Sequence, residues 1–368
     1  MDRAGAGLKV LFFSRGYTTH DRHFLEKLGR AHETWFLPLE KGKSAFEKRG
    51  LPRGVRLAPG RDIAAAIAKL KPDLVHAGPI PTCGWLAAKT GFRPLLVMSW
   101  GSDILDEAAR RPVQRRRAVA ALRRSDMLVC DCDAVREKIQ RWLPYPNERV
   151  VQFPWGADLK TFRPGPARLG LRKLRGWKDA TILLSTRTWE PLLGPMTILE
   201  GFAAAHLSNP SLRLVMLGDG PLGPRVRRFI AARGLKDAVL LPGRVAHDRL
   251  RDYFRSADVY LAGSHSDGSS VSLLEAMACA LPVIVTDIPG NREWIPSAKH
   301  GLLYPPGDAR ALASRIGRLA SDPKGRAAMG RSNLAKARRD ADWDKNFKRL
   351  IKAYDKFVPA GRRGKDLL

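Results

Sequence analysis

Two carboxylate residues, Asp267 and Glu275, stand eight positions apart in the C-terminal half of the chain. Eight positions are a little over two turns of α-helix, so the helical part of this span keeps neighbouring side chains on one face. Gly268, Ser269 and Ser270 stand where a helix would begin, and a helix start presents unpaired N–H groups and a partial positive charge. Such a start binds phosphate, and a carboxylate beside it accepts hydrogen bonds from hydroxyl groups. The spacing predicts a site for a ligand that carries both phosphate and hydroxyl groups.

A resemblance to a known family rests on the same segment. Residues 266–295 are similar to the carboxylate-x7-Glu region of the retaining glycosyltransferases of family 4; they read SDGSSVSLLEAMACALPVIVTDIPGNREWI. The resemblance implies an α/β GT-B fold, in which two Rossmann-like, doubly wound parallel-sheet domains face a cleft. It also implies hexosyl transfer from a nucleotide diphosphate sugar to a glycan or polyprenyl-linked acceptor, with retention of anomeric configuration and without a metal ion or cofactor.

The resemblance assigns roles to individual residues. Asp267 is expected to face the transferred sugar, and Glu275 to bind ribose hydroxyls. Arg187 ends a predicted strand, and its planar guanidinium suits the donor diphosphate. Asp267 and Arg187 are therefore the expected catalytic residues. The expected donor-binding residues are Gly16, Arg187, Gly218, Asp219, Gly220, Val245, Gly268, Ser269, Ser270, Val271 and Glu275.

Two departures from the family pattern concern the donor site. The first carboxylate of the family is usually Glu, and Asp267 is one methylene shorter. The family usually places a lysine about five residues after its arginine, where this chain has Leu192. Arg225 or Arg244 could supply the missing cation. These departures keep open a transferase-like protein without activity.

In the N-terminal half, residues 99–105 resemble the His-Gly-x-Asp turn of the family, with Trp100 in place of the histidine. Trp100, Asp103 and His76 are the expected contacts to the acceptor or the sugar. For Asp103 a helix-capping role stays open, and for His76 a structural one. The loop that contains Gly16 lacks the usual Gly-Gly pair.

Apolar runs that alternate with helical stretches predict parallel sheets. The candidate strands are Val10–Ser14, Thr34–Leu37, Leu74–Ala77, Leu95–Ser99, Met127–Cys132, Val150–Phe153, Ile182–Thr186, Leu212–Leu217, Val239–Leu241, Val259–Ala262 and Val283–Thr286. Arg163–Pro166 reads as a linker. We therefore predict an acceptor domain at 1–163 and a nucleotide-sugar domain at 168–340. A helix at 343–358 is expected to cross back onto the N-terminal domain, followed by a flexible tail at 359–368.

The composition and the N-terminal segment predict where the protein is located and the state of its cysteines. The chain has 368 residues, 44% of them hydrophobic, and no apolar run long enough to span a membrane. Its N-terminus lacks the pattern of a secretory signal, which predicts a cytoplasmic protein. The four cysteines lack zinc spacing and predict buried thiols.

The formal charge is +29, with its densest cluster between Arg110 and Arg124. Three interpretations stay open: a solvated basic surface without a partner, attachment to an anionic membrane at its inner face, or binding of nucleic acid or another polyanion. No known nucleic-acid-binding motif accompanies the cluster, so nucleic acid is not expected.

Overall fold

A computed structural model describes residues 7–40 and 50–358 of the chain. The chain divides into two compact units. The first contains the residues up to Phe153 and those from Phe347 onward, and the second is Pro154–Asn346. The predicted tail at 359–368 lies outside the described residues.

The first unit is built on a parallel sheet that has seven strands within its described residues, in the order β3-β2-β1-β4-β5-β6-β7. Strands β4, β5 and β6 are buried along their whole length, because helices cover both faces of the sheet. The strands are β1 (Lys9–Ser14), β2 (Glu33–Pro38), β3 (Val55–Leu57), β4 (Leu74–Gly78), β5 (Leu95–Met98), β6 (Met127–Cys130) and β7 (Val150–Gln152). The helices are α1 (Thr19–Ala31), α2 (Ile63–Leu70), α3 (Trp85–Lys89), α4 (Ala108–Arg110), α5 (Pro112–Arg124) and α6 (Asp133–Trp142).

The second unit, whose backbone is described throughout, has a six-stranded parallel sheet in the order β10-β9-β8-β11-β12-β13. Its strands are β8 (Thr181–Ser185), β9 (Leu212–Leu217), β10 (Val239–Gly243), β11 (Val259–Ala262), β12 (Val283–Thr286) and β13 (Leu302–Tyr304). Its helices are α7 (Leu171–Leu174), α8 (Pro195–Ser208), α9 (Gly223–Ala232), α10 (His247–Phe254), α11 (Val271–Ala278), α12 (Pro289–Trp294), α13 (Ala309–Ala320) and α14 (Pro323–Asp340).

Helix α15 (Trp343–Phe357) begins in the second unit, and from Phe347 its residues belong to the first. Leu350 and Tyr354 are fully buried. The Phe347 ring lies edge-on to Phe24 of α1, with 5.8 Å between ring centres. Helix α15 therefore helps to close the core of the first unit.

Two parallel sheets were predicted, and the topology confirms them. All eleven predicted strands are present within one to two residues at their ends, whereas β3 and β13 were missed. Both missed strands have three residues and lie at a sheet edge, where a short strand gives only a weak hydrophobic pattern; β7, also of three residues at an edge, was nevertheless recognised.

The N-terminal segment of the first unit ends at Phe153, before the predicted boundary at Arg163. Ala157 and Phe162 are buried in the core of the second unit, and Ala157 pairs with Asp342 in an isolated β-bridge. These contacts explain why residues 154–163 belong to the second unit.

All four cysteines are buried and free, as predicted. In the described ranges no helix is long and apolar enough to cross a bilayer.

Candidate functional site

The sheet of the second unit reverses its strand order between β8 and β11, which are neighbours. Open parallel sheets bind ligands outside the carboxyl ends of their strands at such a point. Arg187 follows β8, and residues 263–270 follow β11 and lead into α11. The topology therefore brings the predicted arginine next to the predicted phosphate-binding helix start.

Arg187 is held by three side chains from this helix start. Its Nη2 donates to Asp267 Oδ2 at 2.8 Å, and its Nη1 donates to the hydroxyls of Ser270 and Ser272 at 3.2 and 3.4 Å. The side chains of Arg187 and Asp267 are only 19% and 16% exposed. Tyr260 donates to Ser272 Oγ at 2.8 Å, and burial raises the pKa of Tyr260, so its hydroxyl stays a donor. The guanidinium therefore has a fixed place at the start of α11.

The loop that carries Asp267 is supported from behind by α12. A side chain at Gly290 would place its Cβ 2.7 Å from Asp267 O and closer still to Gly268 O, so only glycine allows this approach. Ser270 is the cap residue of α11 and makes no side-chain capping bond; its hydroxyl accepts from Arg187 instead. The first turn of α11, beginning at Val271, thus keeps the electrostatic character of an uncapped helix start.

The Gly218-Asp219-Gly220 turn lies against the loop that follows Arg187. Gly218 has a φ of +97°, and a Cβ there would lie 2.8 Å from Arg187 O. Trp189 N donates to Asp219 O at 3.1 Å, and the indole N–H of Trp189 donates to Leu217 O at 3.1 Å. The glycine turn therefore fixes the backbone of the arginine loop, a role that the sequence did not reveal.

Glu275 lies in α11 and is only 3% exposed. Its Oε1 lies 2.7 Å from His247 Nε2, at the start of α10. The His247 ring meets Phe162 edge-on at 5.1 Å between centres. Val245, two residues earlier, is half-buried and packs against the same core. Sequence reasoning missed His247, whose only signal was its position two residues after Val245, an expected donor-binding residue.

Gly16 and Trp100 lie in the first unit, after β1 and β5. A Cβ at Gly16 would meet nothing within 4 Å, so this loop is open at that point. The Trp100 ring is half-buried; its centre lies 5.6 Å from Phe24 and 5.8 Å from His20, which is exposed. Trp100 thus presents part of an aromatic surface.

Asp103 has both carboxylate oxygens engaged inside the first unit. Oδ1 accepts from Ser99 Oγ at 2.7 Å and from Trp100 N at 2.9 Å, and Oδ2 accepts from Ile80 N at 3.0 Å. Asp103 is 3% exposed, and burial raises its pKa to about 6. Its observed contacts fasten the Trp100 loop to the segment after β4.

His76 was expected to end a strand at the ligand-binding edge, but its side chain is completely buried. Nδ1 is hydrogen-bonded to the hydroxyl of Tyr354 in α15, and Nε2 lies 3.2 Å from Met98 Sδ. Burial lowers the pKa of His76 to about 3. Because α15 covers this position, the structure corrects the expectation: His76 is a core residue without surface for an acceptor.

Leu192 occupies the position at which the family usually has its lysine. It is half-buried, and its backbone carbonyl accepts a hydrogen bond from His265 N at 2.8 Å. Arg225 and Arg244, the suggested substitutes, are both exposed. Arg227 reaches the glycine turn, with Nη2 3.9 Å from Asp219 Oδ1. Within the described ranges, no group of three His, Cys, Asp or Glu side chains could hold a metal ion.

Comparison with known proteins gives a consistent result for both halves of the chain. Residues 172–336 match the family described as glycosyl transferases group 1, and residues 2–156 match the glycosyl transferase 4-like domain. The D-inositol 3-phosphate glycosyltransferase of Xylanimonas cellulosilytica is 30% identical over 291 residues, which cover 74% of this chain and 68% of the relative. The enzyme of the same name from Kineococcus radiotolerans is 30% identical over 281 residues, 71% of this chain. The chain spans 63% of the Kineococcus protein and 56% of the one from Acidothermus cellulolyticus.

Among solved structures, Anabaena HepE in complex with UDP-glucose has a TM-score of 0.81 and 19% identity, over 95% of this chain and all of that one. Sucrose-phosphate synthase from Thermosynechococcus elongatus has a TM-score of 0.73 and 19% identity, over 95% and 98% of the two chains. These likenesses establish the fold, which is GT-B as predicted.

Proposed function

Because the chain belongs to the family of glycosyl transferases group 1, we propose that it transfers a sugar from a nucleotide diphosphate sugar to an acceptor hydroxyl. One observation carries the proposal: Arg187 and the uncapped start of α11 meet at the switch point of the second sheet, beside two carboxylates. A cation and a helix start favour a diphosphate, and carboxylates favour the hydroxyls of ribose and sugar.

In the proposed reaction the bond between the anomeric carbon and the donor diphosphate breaks, and the diphosphate keeps the electron pair. The acceptor oxygen bonds to the anomeric carbon and gives up its proton. Negative charge grows on the departing phosphate, so groups fixed beside it before the reaction lower the barrier. Arg187 and the amides of Gly268 to Val271 take this role, and they are already held in place by the contacts around Ser270 and Gly290.

The two carboxylates divide the remaining contacts. Asp267 faces the transferred sugar, and Glu275 binds the ribose. We propose retention of anomeric configuration and a hexosyl donor, as in the family. The acceptor is proposed to be a glycan or a polyprenyl-linked sugar, held by the first unit near Trp100. HepE, crystallised with UDP-glucose, supports a nucleotide-hexose donor by analogy of fold.

The first experiment is thermal stabilisation of the purified protein by UDP, GDP, ADP and their common hexose conjugates. Binding to the native state must raise the apparent stability. A shift with one nucleotide series would identify the donor base. No shift with any of them, at concentrations up to several millimolar, would refute the proposal.

The leucine in the lysine slot favours a second candidate, a protein that binds the donor without turning it over. With one cationic side chain at the phosphate instead of two, the stabilisation of the leaving group falls by a few kcal/mol. This is on the order of what an enzyme loses when one hydrogen-bond donor to the developing negative charge is removed. Slow hydrolysis of the bound donor, or transfer to simple sugars, would exclude this candidate. Nucleotide binding with neither reaction would support it.

For the cellular partner we propose an anionic membrane surface, reached from the cytoplasm. Helix α5 carries several arginines and no acidic residue. Arg115, Arg116, Arg123 and Arg124 are exposed, and the apolar side chain of Val113 is 58% exposed near the start of the helix. Each basic residue near such a surface contributes about 1 kcal/mol.

Co-sedimentation with vesicles of phosphatidylglycerol and phosphatidylcholine tests the membrane proposal. Replacing the four exposed arginines of α5 with glutamine should abolish binding at about 0.1 M salt. The control variant replaces four exposed arginines of the second unit with glutamine: Arg228, Arg233, Arg310 and Arg331. Equal binding by both variants would refute a specific role of α5, and no binding by the unaltered protein would refute membrane attachment.

A further inference from the structure

The His247–Glu275 pair joins two elements that the chain brings together only by folding. His247 is the first residue of α10, and Glu275 lies in the second turn of α11. Nε2 and Oε1 are 2.7 Å apart, and the two side chains are 25% and 3% exposed. An ionised carboxylate only accepts hydrogen bonds, so the proton of this bond belongs to Nε2 and His247 is the donor.

Glu275 has few hydrogen-bond donors around it for a carboxylate that is only 3% exposed. Among the described residues, His247 is the only side chain that is hydrogen-bonded to it. Each carboxylate oxygen accepts about two hydrogen bonds, and buried polar groups are normally satisfied. The remaining acceptor positions therefore suit a ligand with neighbouring hydroxyl groups.

The histidine is itself held in place. Phe162, only 1% exposed, meets the imidazole edge-on with 5.1 Å between ring centres, and the His247 side chain is itself only 25% exposed. The ring therefore has little freedom to turn, and it fixes which Glu275 oxygen is occupied. A rigid donor on Oε1 leaves Oε2 and the second lone pair of Oε1 as the acceptors with a defined direction.

We infer that His247 is a positioning residue that orients Glu275 toward the ribose diol of the nucleotide and so makes binding depend on the ribose hydroxyls. The inference rests on the proposed function, because it needs a nucleotide in this site. His247 acts through Glu275 and is assigned no contact with the reacting atoms.

The experiment measures, by titration calorimetry, the dissociation constants of UDP and 2′-deoxy-UDP, with the GDP and ADP pairs in parallel. The readout is the ratio of the deoxy to the ribo constant, which a general loss of stability does not change. For the nucleotide that binds, the unaltered protein should prefer the ribo form by about tenfold, as expected for a hydrogen bond to a charged group. His247→Ala should reduce this ratio to about 2.

Two variants of similar polarity separate orientation from structure. In His247→Gln the amide nitrogen reaches about as far as Nε2 and should restore most of the ratio. In His247→Asn it does not reach and should behave like alanine. Asp248→Asn, the exposed next residue of α10, is the matched control and should leave the ratio unchanged.

An unchanged ratio in His247→Ala or His247→Asn would overturn the inference. So would a loss of affinity that is equal for ribo and deoxy nucleotides. If the unaltered protein binds none of the six nucleotides, the proposed function fails instead, so the two failures are distinguishable.

Discussion

The replacement Arg187→Ala tests the centre of the donor site. Arg187 makes three hydrogen bonds through Nη1 and Nη2, to Asp267, Ser270 and Ser272. A hydrogen bond to a charged group contributes about 1.5–3 kcal/mol. If the guanidinium makes one such bond to the diphosphate, its loss costs about 1.5–3 kcal/mol, or roughly 10- to 160-fold in the dissociation constant.

The same replacement leaves Asp267 without its cation beside the phosphate site. The unpaired carboxylate then repels the diphosphate, so Arg187→Ala/Asp267→Ala should bind nucleotide more tightly than Arg187→Ala alone. Because the pair is partly exposed, the free energy of unfolding should fall by only about 1–2 kcal/mol. Lysine at 187 keeps the charge without the planar fork and should give an intermediate affinity.

The assay is calorimetric titration of each variant with the nucleoside diphosphate that stabilises the unaltered protein, together with urea denaturation. Arg228→Ala removes an equal charge from an exposed position of α9 and serves as the control. An Arg187→Ala variant that folds and binds the diphosphate within threefold of the control would refute the assigned role.

Three further predictions concern other parts of the chain. Leu192→Lys should raise diphosphate affinity several-fold by restoring the second cation of the family, measured by the same titration; unchanged affinity would show that the slot does not face the phosphate. Gly218→Ala should lower the free energy of unfolding by about 1–3 kcal/mol, because φ is +97° and a Cβ would lie 2.8 Å from Arg187 O; urea denaturation checks it, and a loss below 0.5 kcal/mol would contradict it. His76 has a pKa lowered to about 3 in the folded state, so its stabilising contribution is present above pH 6.5 and is lost as the pH falls from there toward 3. Burial raises the pKa values of Asp21 and Asp103 to about 6, and these two groups change the stability in the opposite direction as the pH falls. The measurement is therefore the difference in the free energy of unfolding between the unaltered protein and His76→Phe, which should change by about 1.4 kcal/mol per pH unit between pH 6 and 4. A difference that stays constant with pH would contradict the prediction.

The sequence was sufficient for the parts of the molecule that depend on local pattern. Apolar runs predicted the long strands, and the spacing of Asp267 and Glu275 predicted a carboxylate on each side of a helix start. The structure places Arg187 against that start, as strand order requires. Such features can be recognised because neighbouring residues in the sequence, or residues at strand ends, carry the signal.

The contacts that sequence could not give join distant elements. His76 and Tyr354 are separated by 278 positions, and His247 and Glu275 by 28. The pattern Asp73-Leu74-Val75-His76 shows that a strand ends near His76, but not that α15 returns to bury its side chain. Whether such distant residues meet depends on how all the elements of a unit pack together, and the spacing of residues along the sequence does not show this.

The two departures from the family pattern have a common electrostatic consequence. Asp267 neutralises Arg187 at 2.8 Å, while Leu192 adds no charge, so the site offers an incoming diphosphate little net positive charge from side chains. A diphosphate can displace the neutral hydroxyls of Ser270 and Ser272 from Nη1 more readily than the carboxylate from Nη2, because the charged pair is the stronger one. Binding then depends on Nη1 and on the start of α11 together, and the start of a helix contributes only about half a charge. The diphosphate should therefore contribute less to donor binding here than in a chain with both cations, and the ribose contacts of Glu275, with His247 behind it, should contribute a larger share.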